Sequence, residues 1–120
     1  MNRQELSAKT KQAIVEIINS KDFITPIDIF VALQYLKEID IEEWRNKKVP
    51  YLEKRITGNL GKTNHVLREI AKYAKDLHLK PSNTVYKSWG AGNKVTLRFS
   101  KSGDSNLERA YSTHYVKPQE

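Results

Sequence analysis

The chain contains no cysteine, one methionine, four prolines and five glycines among its 120 residues. The lack of cysteine removes disulfides, thiolate metal sites and cysteine nucleophiles at once. It also fits a reducing compartment, and a cytoplasmic location is the expectation. Long apolar runs are missing too, and nothing approaches the ~20 residues needed to span a bilayer, so no membrane partner is expected. The start, Met-Asn-Arg-Gln-Glu-Leu, places an acid early and lacks the apolar core of a secretion signal. With 38% hydrophobic residues the chain can still build an ordered core, and its length suits one domain over residues 1–120.

What the chain has in excess is positive charge, and its distribution is lopsided. Residues 1–49 hold eight Lys/Arg and eight Asp/Glu, which cancel, whereas residues 50–120 hold thirteen against six. The whole net charge of +7 therefore belongs to the second part. Such a field attracts anions and repels basic partners without selecting which anion.

Helical patterns dominate as far as residue 78. Leu6, Ala13, Ile14, Ile17 and Ile18 recur near a 3.6 period and predict a helix over 4–20. Thr25-Pro26-Ile27-Asp28 is a helix start, with Thr25 as the cap and Pro26 where a missing N–H costs nothing. The apolar helix it opens is expected to run to Leu36 in the centre of the fold. Asp40 and Glu43 form a second capping pattern, predicting a short helix to Lys48 that ends before Val49-Pro50. From Leu52 the apolar frame continues through Ile56, Leu60, Leu67, Ile70, Ala74 and Leu77. A break is expected at residues 57–61, with a long helix over 62–77.

Beyond Lys80-Pro81-Ser82-Asn83 the pattern changes to period two. Residues 84–89 and 94–100 alternate around Gly90-Ala91-Gly92-Asn93, which predicts a hairpin with Val95, Leu97 and Phe99 inward and Lys94, Thr96, Arg98 and Ser100 outward. Ser105 and Glu108 are spaced as a third capping box for a short helix over 107–112. The fold class expected is α+β, predominantly helical, with four to five helices and a C-terminal hairpin in winged-helix order. The helical part covers about 4–78, and the hairpin with its terminal helix about 84–115.

Charge and fold together suggest a site. On the frame of the long helix, Lys54, His65, Arg68, Lys72 and Lys75 fall opposite the apolar seam, with Lys62 and Arg55 on a flank. The hairpin adds Lys87, Lys94, Arg98 and Lys101, with Tyr86 and Trp89 among them. A basic helix followed by a hairpin is suited to non-catalytic, regulatory nucleic-acid binding, DNA before RNA. Lys54, Lys62, Arg68, Lys72, Lys75, Lys87, Lys94, Arg98 and Lys101 would meet phosphates, and Trp89 would stack on an unpaired base. The plain alternative is a solvated helix face, diluted by Glu69 and Asp76. A second helix pair, 28–36 with 40–48, opens its second helix on three carboxylates that would repel phosphate, and reads as scaffold.

Other constellations are weaker. Residues 98–104 resemble an anion-binding turn, but a strand end joined to a helix cap is the favoured reading. His65, His78 and His114 lack zinc or HExxH spacing, so no metal, cofactor or catalytic residue is expected. A phosphodiester hydrolase would need His65 or His114 beside Arg98 and Lys101. A protein-interaction module would need Trp44, Tyr51 or Tyr115 exposed as anchors. The bland reading makes Trp44, Tyr51, Tyr73, Tyr111 and Tyr115 core or rim.

A succession of phrases runs through residues 25–116: Glu43-Trp44-Arg45, Val49-Pro50-Tyr51-Leu52-Glu53, Leu79-Lys80-Pro81-Ser82, Tyr86, Trp89-Gly90, residues 97–103, Glu108, Tyr111 and Thr113-His114-Tyr115. In these the chain resembles a group of small bacterial proteins of unknown function. The resemblance implies a bacterial cytoplasmic protein and transfers no functional assignment.

Overall fold

A computed structural model describes residues 2–118. Among them are five helices and three short strands, so the α+β, mainly helical class holds. Helix α1 spans Arg3–Ser20, capped by the Asn2 side chain, which accepts the Glu5 N–H at 2.8 Å. Leu6, Ala13, Ile14 and Ile18 line its buried face. Strand β1 (Phe23–Ile24) leads to α2 (Pro26–Ala32), where Thr25 Oγ1 accepts the Asp28 N–H as its start signal required.

Helix α3 spans Glu38–Arg45 and starts earlier than its capping pattern suggested. Asp40 sits in the first turn and reaches back to the Lys37 N–H instead of capping the helix from outside. A 3₁₀ turn at Leu52–Lys54 precedes α4 (Leu60–Asp76). The expected break is present: Gly58 has φ +95°, a conformation that keeps the chain out of a continuous helix, and Asn59 caps α4 through the Lys62 N–H.

Helices α2, α3 and α4 stop in the same way, and without glycine. Each ends on a left-handed residue, Gln34 (φ 67°), Lys47 (φ 63°) and His78 (φ 59°). Around each, paired bonds close the last turn: Gln34 N–H to Val31 O with Tyr35 N–H to Phe30 O, Lys47 to Trp44 with Lys48 to Glu43, and His78 to Lys75 with Leu79 to Ala74. These are Schellman stops. The first explains why α2 ends at Ala32 and not at Leu36.

Strand β2 is Lys80–Asn83, and after α5 (Ser105–Ser112) comes β3 (Thr113–Val116). The sheet order is β1-β3-β2, antiparallel throughout, with Ile24 opposite Tyr115 and Ser82 opposite His114. The sheet is therefore not the hairpin expected at 84–100. That segment does double back, but it carries one isolated bridge, Lys87 to Thr96. It is an arm, without the paired strands of a winged-helix wing. Its alternation also fails at both ends, because Val95 is exposed and Ser100 fully buried.

One apolar core joins all five helices. Trp44, Phe30, Ile14, Ile24, Leu52, Val66 and Tyr111 are completely enclosed in it. The Trp44 ring lies against Phe99 (5.0 Å between centroids) and Tyr86 (5.7 Å), and Phe99 stacks on Tyr111 at 5.3 Å. Helices α1 and α4 run parallel: Arg3 lies by Gly61, Ser7 by His65 and Glu69, and Lys11 by Tyr73.

Candidate nucleic-acid interface

The buried side of α4 is Thr63, Val66, Leu67, Ile70 and Ala74, at the spacing of one helical stripe. At 100° per residue this directs Arg68, Lys72 and Lys75 into one arc on the opposite side. All three are exposed, as is Lys54, while Lys62 is half-buried on the α1 flank. Neither acid suspected of diluting the stripe pairs with a lysine. Glu69 turns towards α1, where it accepts the Ser7 hydroxyl at 2.6 Å and lies 3.5 Å from His65 Nε2. Asp76 joins no ion pair among the described residues. The parallel packing of α1 adds two cations that sequence reading missed. Arg3 and Lys11 share with Lys72, His65 and Tyr73 the groove between the two helices, and Lys11 and Lys72 both sit 5.6 Å from the Tyr73 ring centre.

The arm does not lie directly against this face. Leu107 and Ala110 of α5 line a groove with Leu67, Arg68 and Ala71 of α4, while Glu108, Arg109 and Ser112 of α5 line one with Thr84, Tyr86, Thr96 and Leu97 of the arm. Helix α5 therefore stands between α4 and the arm, which form two cationic areas and not a single platform, while Lys101, beyond the arm, shares a groove with Leu60 and Asn64 on the α4 side.

On the arm, Val85, Lys87 and Trp89 alternate outward, while Tyr86 is half-buried and Ser88 is enclosed. The Lys87 ammonium donates to Thr96 Oγ1 at 2.7 Å and that of Lys94 to the Gly90 carbonyl at 2.6 Å, neither of which neutralises charge. Trp89 is 48% exposed. Its backbone N–H donates to the Arg45 carbonyl at 2.8 Å, and the Arg45 guanidinium lies over its ring, 5.4 Å from the centroid. The same guanidinium lies 4.7 Å from the centre of Tyr86 and donates to the Lys87 carbonyl at 2.7 Å. Burial lowers the Arg45 pKa from its usual value, partly offset by Tyr86, and raises that of Tyr86. Among the described residues Arg45 has no carboxylate partner. Arg45 is a site residue that sequence reading passed over, because only the fold brings the end of α3 under the arm.

Arg98 and the turn after it play a different part from the one expected. The Arg98 Nε–H donates to the Ser100 carbonyl at 2.7 Å and its Nη2 to that of Lys101, with Tyr51 beneath the guanidinium. This clamps its own loop. The turn does bind anions, but they are carboxylates of this chain. Glu108 accepts the Phe99 N–H (2.9 Å) and the Ser100 N–H (2.7 Å), and Glu53 accepts the Lys101 N–H (3.0 Å). Asp104, and not Ser105, caps α5 by accepting the Leu107 N–H. The Glu108 that was to complete that cap faces inward.

The remaining expectations separate clearly. Trp44 is fully enclosed, with its indole N–H donated to the Arg98 carbonyl at 2.8 Å, so it is no surface anchor. His65 meets Ser7 and Glu69, whereas His114 stacks on Phe23 and lies 2.8 Å from the Tyr86 hydroxyl. Their surroundings include neither Arg98 nor Lys101, so the cleft a hydrolase would need is not assembled from these residues. Glu53, Phe99, Ser100, Glu108 and Tyr111, from four separate phrases of the resemblance, are neighbours in space.

No family model, curated protein or solved structure matches the chain. Among the described residues no helix is long and apolar enough to cross a membrane.

Proposed function

We propose that the protein binds nucleic acid without catalysing a reaction on it. One observation carries this reading. Lys54, Lys62, Arg68, Lys72, Lys75, Lys87, Lys94 and Lys101 have no carboxylate partner among the described residues. The ion pairs among the described residues use Lys21, Arg55 and His65 instead. Cations left unneutralised on a helix arc, an arm and the turns that hold Lys54 and Lys101 suit a polymer with regularly spaced phosphates, because each contact releases a condensed counterion. With α5 between the two areas, the polymer would cross α5 or engage the areas separately.

A titration with mixed-sequence DNA and RNA at about 50 and 200 mM salt tests the proposal. Six or more phosphate contacts would lower affinity by roughly a thousandfold between those conditions. Arg68→Glu with Lys72→Glu reverses two exposed charges one turn apart on α4, and is expected to weaken binding while the thermal melt stays unchanged. Absence of binding at the lower salt would refute the proposal.

A further inference from the structure

Trp89 is the side chain whose setting the fold explains least. A large indole stands half-exposed at the root of a tip, Gly90 to Asn93, in which Gly90 (φ +99°) and Gly92 (φ +91°) adopt left-handed backbone with open space where a Cβ would stand. The Arg45 guanidinium lies over the indole, 5.4 Å from its centroid, and about half of the residue stays exposed. That guanidinium is itself partly buried and has aromatic rings and a carbonyl for company, with no carboxylate partner among the described residues. A partly desolvated cation compensated by ring quadrupoles and one carbonyl still favours an anion. Lys87 and Lys94 add two unneutralised charges on the same arm.

We infer that the arm is a binding site for single-stranded nucleic acid, in which an unpaired base stacks on the exposed indole of Trp89 and its phosphates lie against Arg45, Lys87 and Lys94. This rests on the nucleic-acid reading above and narrows it. Every base offers a π-face, so an indole platform tolerates sequence. A duplex keeps its bases stacked on one another and presents no such face. Arg45 lies over the indole, and its planar guanidinium is a group that lysine cannot reproduce.

The experiment compares a fluorescently labelled oligothymidylate with a labelled duplex of equal length at one low salt concentration, following anisotropy and tryptophan emission. The expected result is preference for the single strand and quenching of emission. Trp89→Ala should weaken single-strand binding by about 5- to 150-fold, the range that loss of one stacked base gives. Trp89→Phe should retain most of it, and duplex binding should not respond to either change. A thermal melt of each variant checks the fold, which the exposed indole should not hold together. If the single strand binds and Trp89→Ala changes nothing while Arg68→Glu with Lys72→Glu weakens binding, the inference is overturned and the broader proposal stands. Equal single-strand and duplex affinity without quenching also overturns it, leaving the indole as an anchor for a protein partner. If neither polymer binds, both readings fall together.

Discussion

The Tyr111 hydroxyl donates to Oε2 of Glu53 at 2.8 Å, joining positions 58 residues apart, while Oε1 of the same carboxylate accepts the Lys101 N–H at 3.0 Å. One side chain thus ties α5 and the turn after the arm to the 3₁₀ segment. Tyr111→Phe keeps the ring stacked on Phe99 and removes the donor from a partly buried carboxylate. A loss of about 1–3 kcal/mol in urea denaturation is expected. An unchanged midpoint would mean that the hydroxyl contributes nothing.

The non-glycine helix stops make a second prediction, with the opposite sign. Lys47 and Gln34 hold left-handed backbone that crowds their Cβ atoms, at roughly 1 kcal/mol each. Lys47→Gly and Gln34→Gly should each stabilise the fold by up to about 1 kcal/mol, reduced by the extra freedom of glycine in the unfolded chain. Lower melting temperatures for both would contradict the strain argument.

The two tryptophans should behave oppositely. Trp44 is wholly enclosed between Phe99 and Tyr86, so Trp44→Ala should cost about 3–5 kcal/mol. Trp89→Ala should stay within about 0.5 kcal/mol. Acrylamide should quench the emission of the Trp44→Phe variant far more than that of Trp89→Phe.

Alkali should unfold the protein through its buried phenols. Burial raises the pKa of Tyr111, Tyr86 and Tyr115 above the ordinary value of about 10, and the Glu53 and Glu108 carboxylates push Tyr111 up further. Above that ordinary value the unfolded chain releases protons that the folded chain retains. The stabilisation is therefore complete below about pH 10 and is lost as pH rises through the folded values. Denaturant midpoints should fall steadily from about pH 10 upward. Tyr115→Phe should flatten the fall, since the Tyr115 hydroxyl has no hydrogen-bond partner among the described residues.

His114 should titrate below its ordinary value, because burial disfavours the charged ring and Asp28 offsets this only in part, with Lys21 adding to the depression. The unfolded chain then takes up a proton first as pH falls, so stability drops below about pH 6.5 towards the folded pKa. Ring-proton shifts in NMR would give the folded value directly. A value at or above 6.5 would remove the acid-side effect.

Several features were readable one residue at a time. The stripe of α1, the Thr25-Pro26 start and the break near Gly58 each depend on neighbours within a few positions. The ends of α2 and α3 were hidden because Gln34 and Lys47 are not stop signals by type, and their left-handed backbone is imposed by the paired carbonyl bonds around them. The sheet was hidden for another reason. Strand β1 has two residues, and β2 (Lys80–Asn83) is exposed throughout and contains Pro81, which an edge strand tolerates. Neither offers an alternating pattern. The arm offered one and carries a single bridge.

For the site, side-chain types told much and their employment little. The lysines of α4 face outward because the apolar stripe faces inward, and that follows from helical period alone. Arg98 reads like any basic residue of the arm, yet two carbonyls of its own loop hold it. The turn after it reads like an anion site, and Glu53 and Glu108 occupy it from within.

The amino-acid order on its own determined the helical character, the mainly helical α+β class and the concentration of positive charge after residue 50, since each arises from local periodicity or from composition. Only the tertiary structure decided which cations remain unneutralised, placed α5 between the two basic areas, and set Arg45 against Trp89. Those outcomes depend on contacts between segments tens of residues apart, and such contacts are settled by packing across the whole core.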